Sequence, residues 1–174
     1  MNAVSIRIAV LTIMAAAGSA VAQPTVRAAL QPALKRRPAA DFALRDIDGK
    51  TATLEQYRGK VVLLDFWATW CTGCKQEIPW FVEFQRKFGP KRFAVVGVSL
   101  DEGGWDVLRP FLAETRVPYR ILLGDDATRQ QYGIQGMPDT FLIDRQGKVA
   151  ASYLAALVDK DDVETNINAL LSER

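Results

Sequence analysis

Cys71 and Cys74 are the only cysteines in the chain, and Thr72 and Gly73 separate them. They stand between a near-continuous apolar run and a segment with helical periodicity. At a helix N-terminus, the macrodipole and the free backbone N–H groups favour a thiolate over a thiol. The pattern predicts a redox-active dithiol, in which Cys71 attacks a partner disulfide and Cys74 resolves the mixed disulfide.

Two other uses of a cysteine pair are a structural disulfide and a metal site. A purely structural disulfide would close only four residues, which on the chain-entropy model stabilises a fold by about 2 kcal/mol. A metal site lacks ligands, because the chain has two cysteines and no histidine. The absence of histidine also excludes Ser-His-Asp and Cys-His catalysis. We therefore expect no metal and no cofactor beyond a Cys71–Cys74 disulfide.

The composition is that of one soluble globular domain. The chain has 174 residues, of which 49% are apolar and 24% charged, and its formal net charge is +2. These values argue against global disorder, collagen and coiled coil. So small a net charge provides no electrostatic reason to expect a nucleic-acid partner.

The first 22 residues have the three regions of a secretory signal peptide. Residues 1–7 carry one Arg and no acid, residues 8–17 are apolar apart from one Thr, and Ala20-Val21-Ala22 is a small-x-small cleavage signature. The apolar run is shorter than the roughly 20 residues that span a bilayer. We predict cleavage after Ala22 and a periplasmic location, with a membrane anchor as the alternative if the segment is kept. Outside the cytosol, a disulfide can persist.

The remaining chain divides into a lead-in, residues 23–38, and one domain, residues 39–174. The lead-in is predicted to be flexible, and its basic cluster Lys35-Arg36-Arg37 is interpreted as solvated. Strands are predicted at residues 42–45, 51–53, 60–66, 93–99, 119–123, 140–143 and 148–153. Helices are predicted after Cys71 to about residue 88, around residues 105–112, before residue 132 and at 163–171, with Pro110 expected to kink or break the second. This alternation predicts an α/β fold with a central mixed sheet covered on both faces.

From about residue 39 to its end, the chain resembles thioredoxin-fold proteins, and more narrowly the exported thioredoxins of the TlpA/ResA type within the redoxin, AhpC/TSA-related superfamily. Residues 62–71 (VLLDFWATWC) with Cys74 and Pro79 match the active-site strand and helix of that family. Residues 136–144 (GMPDTFLID) match its second motif, and residues 42–60 match its N-terminal hairpin. The resemblance implies a thioredoxin fold with an N-terminal β-hairpin extension.

The resemblance also implies roles for neighbours of the cysteines. Pro138 would be a cis proline packed beside the disulfide, with Met137 facing the site. Trp70 would shape the surface that contacts a partner, whereas Trp67 is a packing or rim residue. Pro79 would lie inside a kinked active-site helix.

Two acids are candidates for proton transfer. Glu77 lies three residues after Cys74, so both can share a helix face. Most glutamates are solvated, but the family places an acid here, where it can exchange a proton with the resolving thiol. Asp65 lies in a buried strand, beneath the resolving cysteine in the family, and ranks as a supporting residue.

Three functions compete on the sequence alone. The first is a dithiol reductase of periplasmic proteins: Thr72 and Gly73 add no cation, and a less stabilised thiolate makes a less oxidising couple. The resemblance implies disulfide-bearing client proteins and a membrane thiol-transfer protein as electron donor, and we expect a monomer. The second is a thioredoxin that serves cytochrome c maturation. In the subgroup with that role, the residue after the cis proline is usually acidic, as Asp139 is here. The third is a peroxidase, whose Thr or Ser three residues before the reactive cysteine is here Ala68. A fourth hypothesis is a pure binding module, which would function without either cysteine.

Overall fold

The computed structural model of the protein describes residues 24–173, so the predicted signal peptide lies outside the described residues. Nine strands are assigned in this range: β1 (Thr25–Val26), β2 (Ala43–Asp46), β3 (Thr51–Thr53), β4 (Val61–Trp67), β5 (Phe93–Ser99), β6 (Arg120–Leu123), β7 (Asp139–Ile143), β8 (Val149–Leu154) and β9 (Leu157–Val158). Four α-helices accompany them: α1 (Thr72–Phe88), α2 (Trp105–Thr115), α3 (Asp126–Gln131) and α4 (Lys160–Ser172). Short 3₁₀ turns cover Ala33–Lys35, Leu54–Tyr57 and Gly89–Lys91.

Seven of the strands form one mixed sheet in the order β3-β2-β6-β5-β4-β7-β8. Strands β4, β5 and β6 run parallel, whereas β7 is antiparallel to β4 and β2 is antiparallel to β6. The β2–β3 hairpin confirms the predicted N-terminal extension. Strands β1 and β9 pair separately, in parallel.

Strand β4 lies inside this sheet and has a core on each face, as its uninterrupted apolar sequence predicts. All seven of its residues are buried. Val61, Leu63 and Trp67 pack in the core that α1, α2 and α4 cover, while Leu64 and Phe66 pack in the core beneath the hairpin. Because successive side chains of a strand point to opposite faces of the sheet, β4 contributes alternate residues to the two cores. The carboxyl end of β4 leads directly to the cysteines.

Two of the helices continue without interruption through a proline. Pro79 lies within α1 and Pro110 within α2. Of the two outcomes predicted for Pro110, a kink or a break, the structure excludes the break, because α2 continues past it to Thr115. A proline removes one i→i−4 hydrogen bond, and the carbonyl that loses it belongs to Asp106, an exposed residue that water can reach.

The lead-in packs against the domain, which corrects the interpretation of its basic cluster. Arg36 is buried, and its guanidinium contacts Asp144 Oδ2 at 3.1 Å and Glu173 Oε1 at 2.6 Å. Lys35 and Arg37 are exposed, as predicted. Arginine presents a planar fork of donors that suits two carboxylates at once, and this partner set could not be deduced from three adjacent basic residues. Among residues 24–173, no helix is both long and apolar enough to cross a bilayer.

Candidate active site

The two cysteines form a disulfide at the start of α1 and differ in accessibility. Cys71 is the N-cap residue, and its Sγ accepts a hydrogen bond from the Cys74 backbone N–H at 3.1 Å. Cys71 retains 6% of its surface, whereas Cys74 is fully buried. A partner sulfur can therefore approach Cys71 but not Cys74.

A buried aspartate holds the loop that carries Cys71. Asp101 accepts hydrogen bonds from the Thr69 backbone N–H and from the Thr69 hydroxyl, the latter at 2.7 Å, and from the Ser99 hydroxyl at 2.8 Å. The next residue, Trp70, is 66% exposed. Sequence reasoning missed Asp101. The available signal was an acid just beyond a buried parallel strand, at the edge where β4 and β5 both end.

The second motif closes the other side of the disulfide. The Met137–Pro138 peptide bond is cis, as predicted. A Cβ atom placed on Gly73 would lie 3.4 Å from Pro138 Cδ, so this proline packs on Gly73, one of the two residues between the cysteines. Met137 and the exposed Trp70 line one cleft of about 590 Å³ beside the disulfide. Its charged lining residues are mostly acidic: Asp101, Glu102, Asp125, Asp126 and Arg129.

Glu77 is a fully buried carboxyl one helical turn beyond Cys74. Its Oε1 accepts a hydrogen bond from the Val158 backbone N–H at 2.7 Å, while Oε2 has no hydrogen-bond partner among residues 24–173. Burial raises the pKa of Glu77, the negative charge of Asp65 raises it further, and the bond from Val158 opposes both. The carboxyl is therefore able to hold a proton at a pH where an ordinary glutamate is ionised.

Asp65 lies in β4 and is equally buried. Its only side-chain hydrogen bond within the described part of the chain comes from the Thr140 hydroxyl at 3.4 Å, which is long. Burial raises the pKa of Asp65, and the charge of Asp139 adds to the rise. Because Asp65 and Glu77 influence each other, their protons leave as those of a coupled pair.

Asp139 follows the cis proline and contacts the loop after β8. Its Oδ1 accepts the Ala155 backbone N–H at 2.6 Å, and burial raises its pKa. Ala155 adopts φ 55°, in the left-handed region that non-glycine residues rarely adopt. Asp139 thus fixes an unfavourable backbone conformation beside the site. No sequence signal indicates this contact, because its partner is a backbone group.

The structure therefore brings most of the predicted site residues to one place. Thr72 and Gly73 form the first turn of α1 between the cysteines, and Glu77 lies on the next turn. Trp67 is buried at 1% exposure with its ring 5.3 Å from that of Phe111, so it is a packing residue rather than a rim residue.

Comparison with known proteins gives consistent matches over this domain. Residues 36–152 match the AhpC/TSA family. The chain is 31% identical over 133 residues to the thiol-disulfide oxidoreductase ResA of Geobacillus thermodenitrificans, covering 76% of this chain and 75% of the relative. It is 30% identical over 125 residues to the thioredoxin-like protein YneN of Bacillus subtilis, covering 71% and 73%.

Solved structures agree with these relatives. A Chlorobium tepidum structure, described as that of a thiol:disulfide interchange protein DsbE, superposes with a TM-score of 0.75 at 38% identity, covering 79% of this chain and 98% of the other. The thioredoxin domain of a Bacteroides vulgatus thiol-disulfide oxidoreductase gives a TM-score of 0.70 at 26% identity, covering 78% and 96%. The predicted thioredoxin fold, with its mixed sheet flanked by helices, is confirmed.

Proposed function

This chain belongs to the AhpC/TSA family as a thioredoxin-like thiol-disulfide oxidoreductase of the TlpA/ResA type, and from that premise we propose that it reduces disulfides in exported client proteins. In this proposal the redox group is the pair Cys71 and Cys74, the two cysteines of the chain. The observation that carries the proposal is the unequal burial of the two cysteines: Cys71 keeps a small exposed fraction, whereas Cys74 is fully buried one helical turn before the buried Glu77.

The first step is an attack by Cys71. In the reduced protein, its thiolate attacks one sulfur of a client disulfide, forming a Cys71–client bond as the client disulfide breaks. The second client sulfur leaves as a thiolate and takes a proton from solvent. Trp70 and Met137, which line the adjoining cleft, are the surface on which the client segment rests.

The second step releases the client. Cys74 gives its proton to the Glu77 carboxylate, and its thiolate attacks the Cys71 sulfur. The Cys71–client bond breaks, and the client thiolate leaves and is protonated. Two electrons have passed to the client, and the protein is left with the Cys71–Cys74 disulfide. Burial raises the pKa of Glu77 to about 9, close to the value of about 8.5 for an ordinary thiol, so a proton can pass between Cys74 and this carboxyl in either direction.

Several features support reduction as the direction. The residues between the cysteines, Thr72 and Gly73, carry no charge, and the chain has no histidine. A thiolate with little stabilisation gives a disulfide of low reduction potential. An electron-donating dithiol protein of the membrane then returns the disulfide to the dithiol by the same exchange. The predicted signal peptide supports a periplasmic location for both reactions.

Peroxide reduction is the other activity that the family name suggests, and the site favours disulfide exchange instead. Position 68, three residues before Cys71, holds a buried alanine that offers a peroxide no hydroxyl. Both curated relatives named above are thiol-disulfide oxidoreductase or thioredoxin-like proteins rather than peroxidases.

A pair of matched variants tests the mechanism. With Cys74→Ser, the second step cannot occur, so a client carrying a disulfide should remain bound to Cys71 as a mixed disulfide that dithiothreitol releases. Cys71→Ser leaves only the buried sulfur and should trap nothing. Non-reducing gels with insulin as the probe distinguish the two. Equal trapping by both variants, or trapping by neither, would refute the proposed roles.

A further inference from the structure

A short segment crosses the active site and contacts each of its parts. We call residues 155–158, which join β8 to α4 and include β9, the active-site strap. The Ala155 N–H donates to Asp139 Oδ1 at 2.6 Å, and the Val158 N–H donates to Glu77 Oε1 at 2.7 Å. A Cβ atom placed on Gly73 would lie 3.3 Å from Leu157 Cδ2, so the strap also packs on the residue between the cysteines.

The strap is held from outside by the N-terminal strand. Thr25 pairs with Leu157, and Val26 pairs with Val158. The Asp159 N–H donates to the Val26 carbonyl at 2.9 Å, immediately after the strap ends. Within residues 24–173, β1 is the sole sheet partner of β9, so the strap has no other strand to fix its position.

The lead-in is anchored just beyond β1 as well. The Ala28 N–H donates to Asp162 Oδ2 at 3.0 Å, and Asn166 Nδ2 donates to the Ala28 carbonyl at 2.7 Å. Both partners are side chains of α4. Strand β1 is therefore clamped between β9 and α4 rather than lying loosely over the domain.

We propose that β1 is a positioning element for the redox reaction: by pairing with β9, it holds the Val158 N–H against Glu77 and so prepares that carboxyl to accept the proton of Cys74. The inference rests on the role of Glu77 in the proposed function. It assigns a catalytic contribution to the lead-in, which lies far in sequence from the cysteines.

The electrostatics explain why one hydrogen bond matters. The ionisable groups that interact with Glu77 are Asp65 of β4 and Tyr119 before β6, and Cys74 lies one turn earlier on the same helix. None of them is a cation, so the Val158 N–H is the group that favours the carboxylate. If the strap moves away, the pKa of Glu77 rises and less of the base is present at neutral pH.

The test measures the proton-dependent step directly. Reduced protein reacts with 5,5′-dithiobis(2-nitrobenzoate): Cys71 releases one thionitrobenzoate, and the attack of Cys74 on the mixed disulfide releases the second. The rate of the second release is recorded from pH 5 to pH 10, a range chosen to be about two units or more on each side of neutral. Val26→Pro removes an N–H and restricts the backbone within β1, whereas Ala29→Pro places the same residue in an exposed part of the lead-in outside the strand.

We expect Val26→Pro to move the midpoint of the rate profile to higher pH by about half a unit to one unit, which is about a threefold to tenfold loss of rate below the midpoint. Ala29→Pro should follow the unsubstituted protein. In a Glu77→Gln background, Val26→Pro should add no further shift, because the two changes act through one group. If Val26→Pro fails to fold, Thr25→Pro at the exposed end of β1 gives the same comparison.

The outcomes separate the two proposals. If Glu77→Gln alters the profile but neither β1 variant does, the positioning role of β1 is wrong and the proposed function stands. If Glu77→Gln leaves the profile unchanged, the role of Glu77 is wrong and the inference about β1 falls with it. An equal shift in Ala29→Pro would attribute the effect to the lead-in generally and contradict a specific role for β1.

Discussion

Two clusters of buried charged groups occur in this domain, and they are satisfied to different degrees. In one, Arg36 contacts Asp144 and Glu173, so a cation is matched by two carboxylates. In the other, Asp65 of β4 and Glu77 of α1 interact without a cation among residues 24–173, and Glu77 Oε2 has no hydrogen-bond partner in that range. The first cluster ties the lead-in to the domain, whereas the second keeps protons available beside a thiol.

The difference shows where the fold accepts an unfavourable arrangement. A buried carboxyl without a partner is costly in its ionised form and takes up a proton instead. Such perturbed groups concentrate at sites of chemistry, whereas matched ion clusters serve structure as well. We therefore expect changes in the first cluster to lower stability and changes in the second to alter the rate of disulfide exchange.

The largest effect should come from Arg36→Met, which leaves two carboxylates without their cation. Breaking a buried ion pair typically costs 3–5 kcal/mol, and because Glu173 is partly exposed we expect about 3 kcal/mol at the lower end of that range. Urea denaturation measures the free energy of unfolding, with Arg37→Met at the exposed neighbour as the control. A loss below about 1 kcal/mol would mean that the cluster is not structural.

In the second cluster, we expect Glu77→Gln to change the rate of disulfide exchange strongly and the free energy of unfolding little. Loss of a general base lowers rates by about 10²-fold or more, so the release of a client from Cys71 should slow by that factor at pH 7. The free energy of unfolding should change by less than about 1 kcal/mol, because burial favours the neutral carboxyl and an amide of nearly the same shape can still accept the Val158 N–H. Glu83→Gln, an exposed change on the same helix, is the control. A large loss of stability with an unchanged rate would reverse our assignment.

The two clusters should also differ in their response to pH. The folded-state pKa values of Asp65 and Glu77 are raised above the unfolded values, so the folded protein binds more protons than the unfolded one between those values. The stability that these two protons contribute is fully present below the unfolded pKa values, at about pH 4, and is lost as pH rises from there through the folded pKa values. For the oxidised protein, we expect the free energy of unfolding to fall steadily between pH 5 and pH 8. The free energy of unfolding should fall less steeply with pH in Glu77→Gln. A free energy of unfolding that rises between pH 5 and pH 8 would contradict the raised pKa values of these two acids.

The smallest effect should come from an exposed ion pair. Arg58 and Glu55 are in contact at 2.7 Å, but their side chains are 49% and 67% exposed. Such pairs contribute little because water screens them. Arg58→Met should change the free energy of unfolding by less than about 0.5 kcal/mol. A change as large as that of Arg36→Met would show that burial does not explain the ranking.

Patterns local in sequence predicted much of the fold. The apolar run of β4 and the periodicity of α1 are each visible in one segment, and the structure contains both. The hairpin of β2 and β3 follows from the turn at Asp48 and Gly49, where Gly49 adopts φ 77°. The cis proline followed from the motif around it rather than from the proline itself.

Contacts between distant segments could not be predicted in this way. The sequence indicates a solvated Arg36, because its carboxylate partners lie 108 and 137 residues away along the chain. The bond between the Val158 N–H and Glu77 spans 81 residues and involves a backbone donor, which no residue type announces. The sequence therefore allowed the pairing of the two cysteines and the place of Glu77 on their helix to be predicted, but not the strap that contacts Glu77.

An equilibrium redox titration of the protein against glutathione tests the central claim most directly. The exposed Trp70, next to Cys71, reports the state of the disulfide by fluorescence, and thiol labelling checks it. The account predicts a reversible two-electron transition with a midpoint more negative than about −230 mV, in the range of reducing thioredoxins. A midpoint more positive than about −150 mV, near the strong periplasmic oxidants, would contradict reduction as the direction. The absence of any reversible transition would contradict the redox role of the cysteine pair itself.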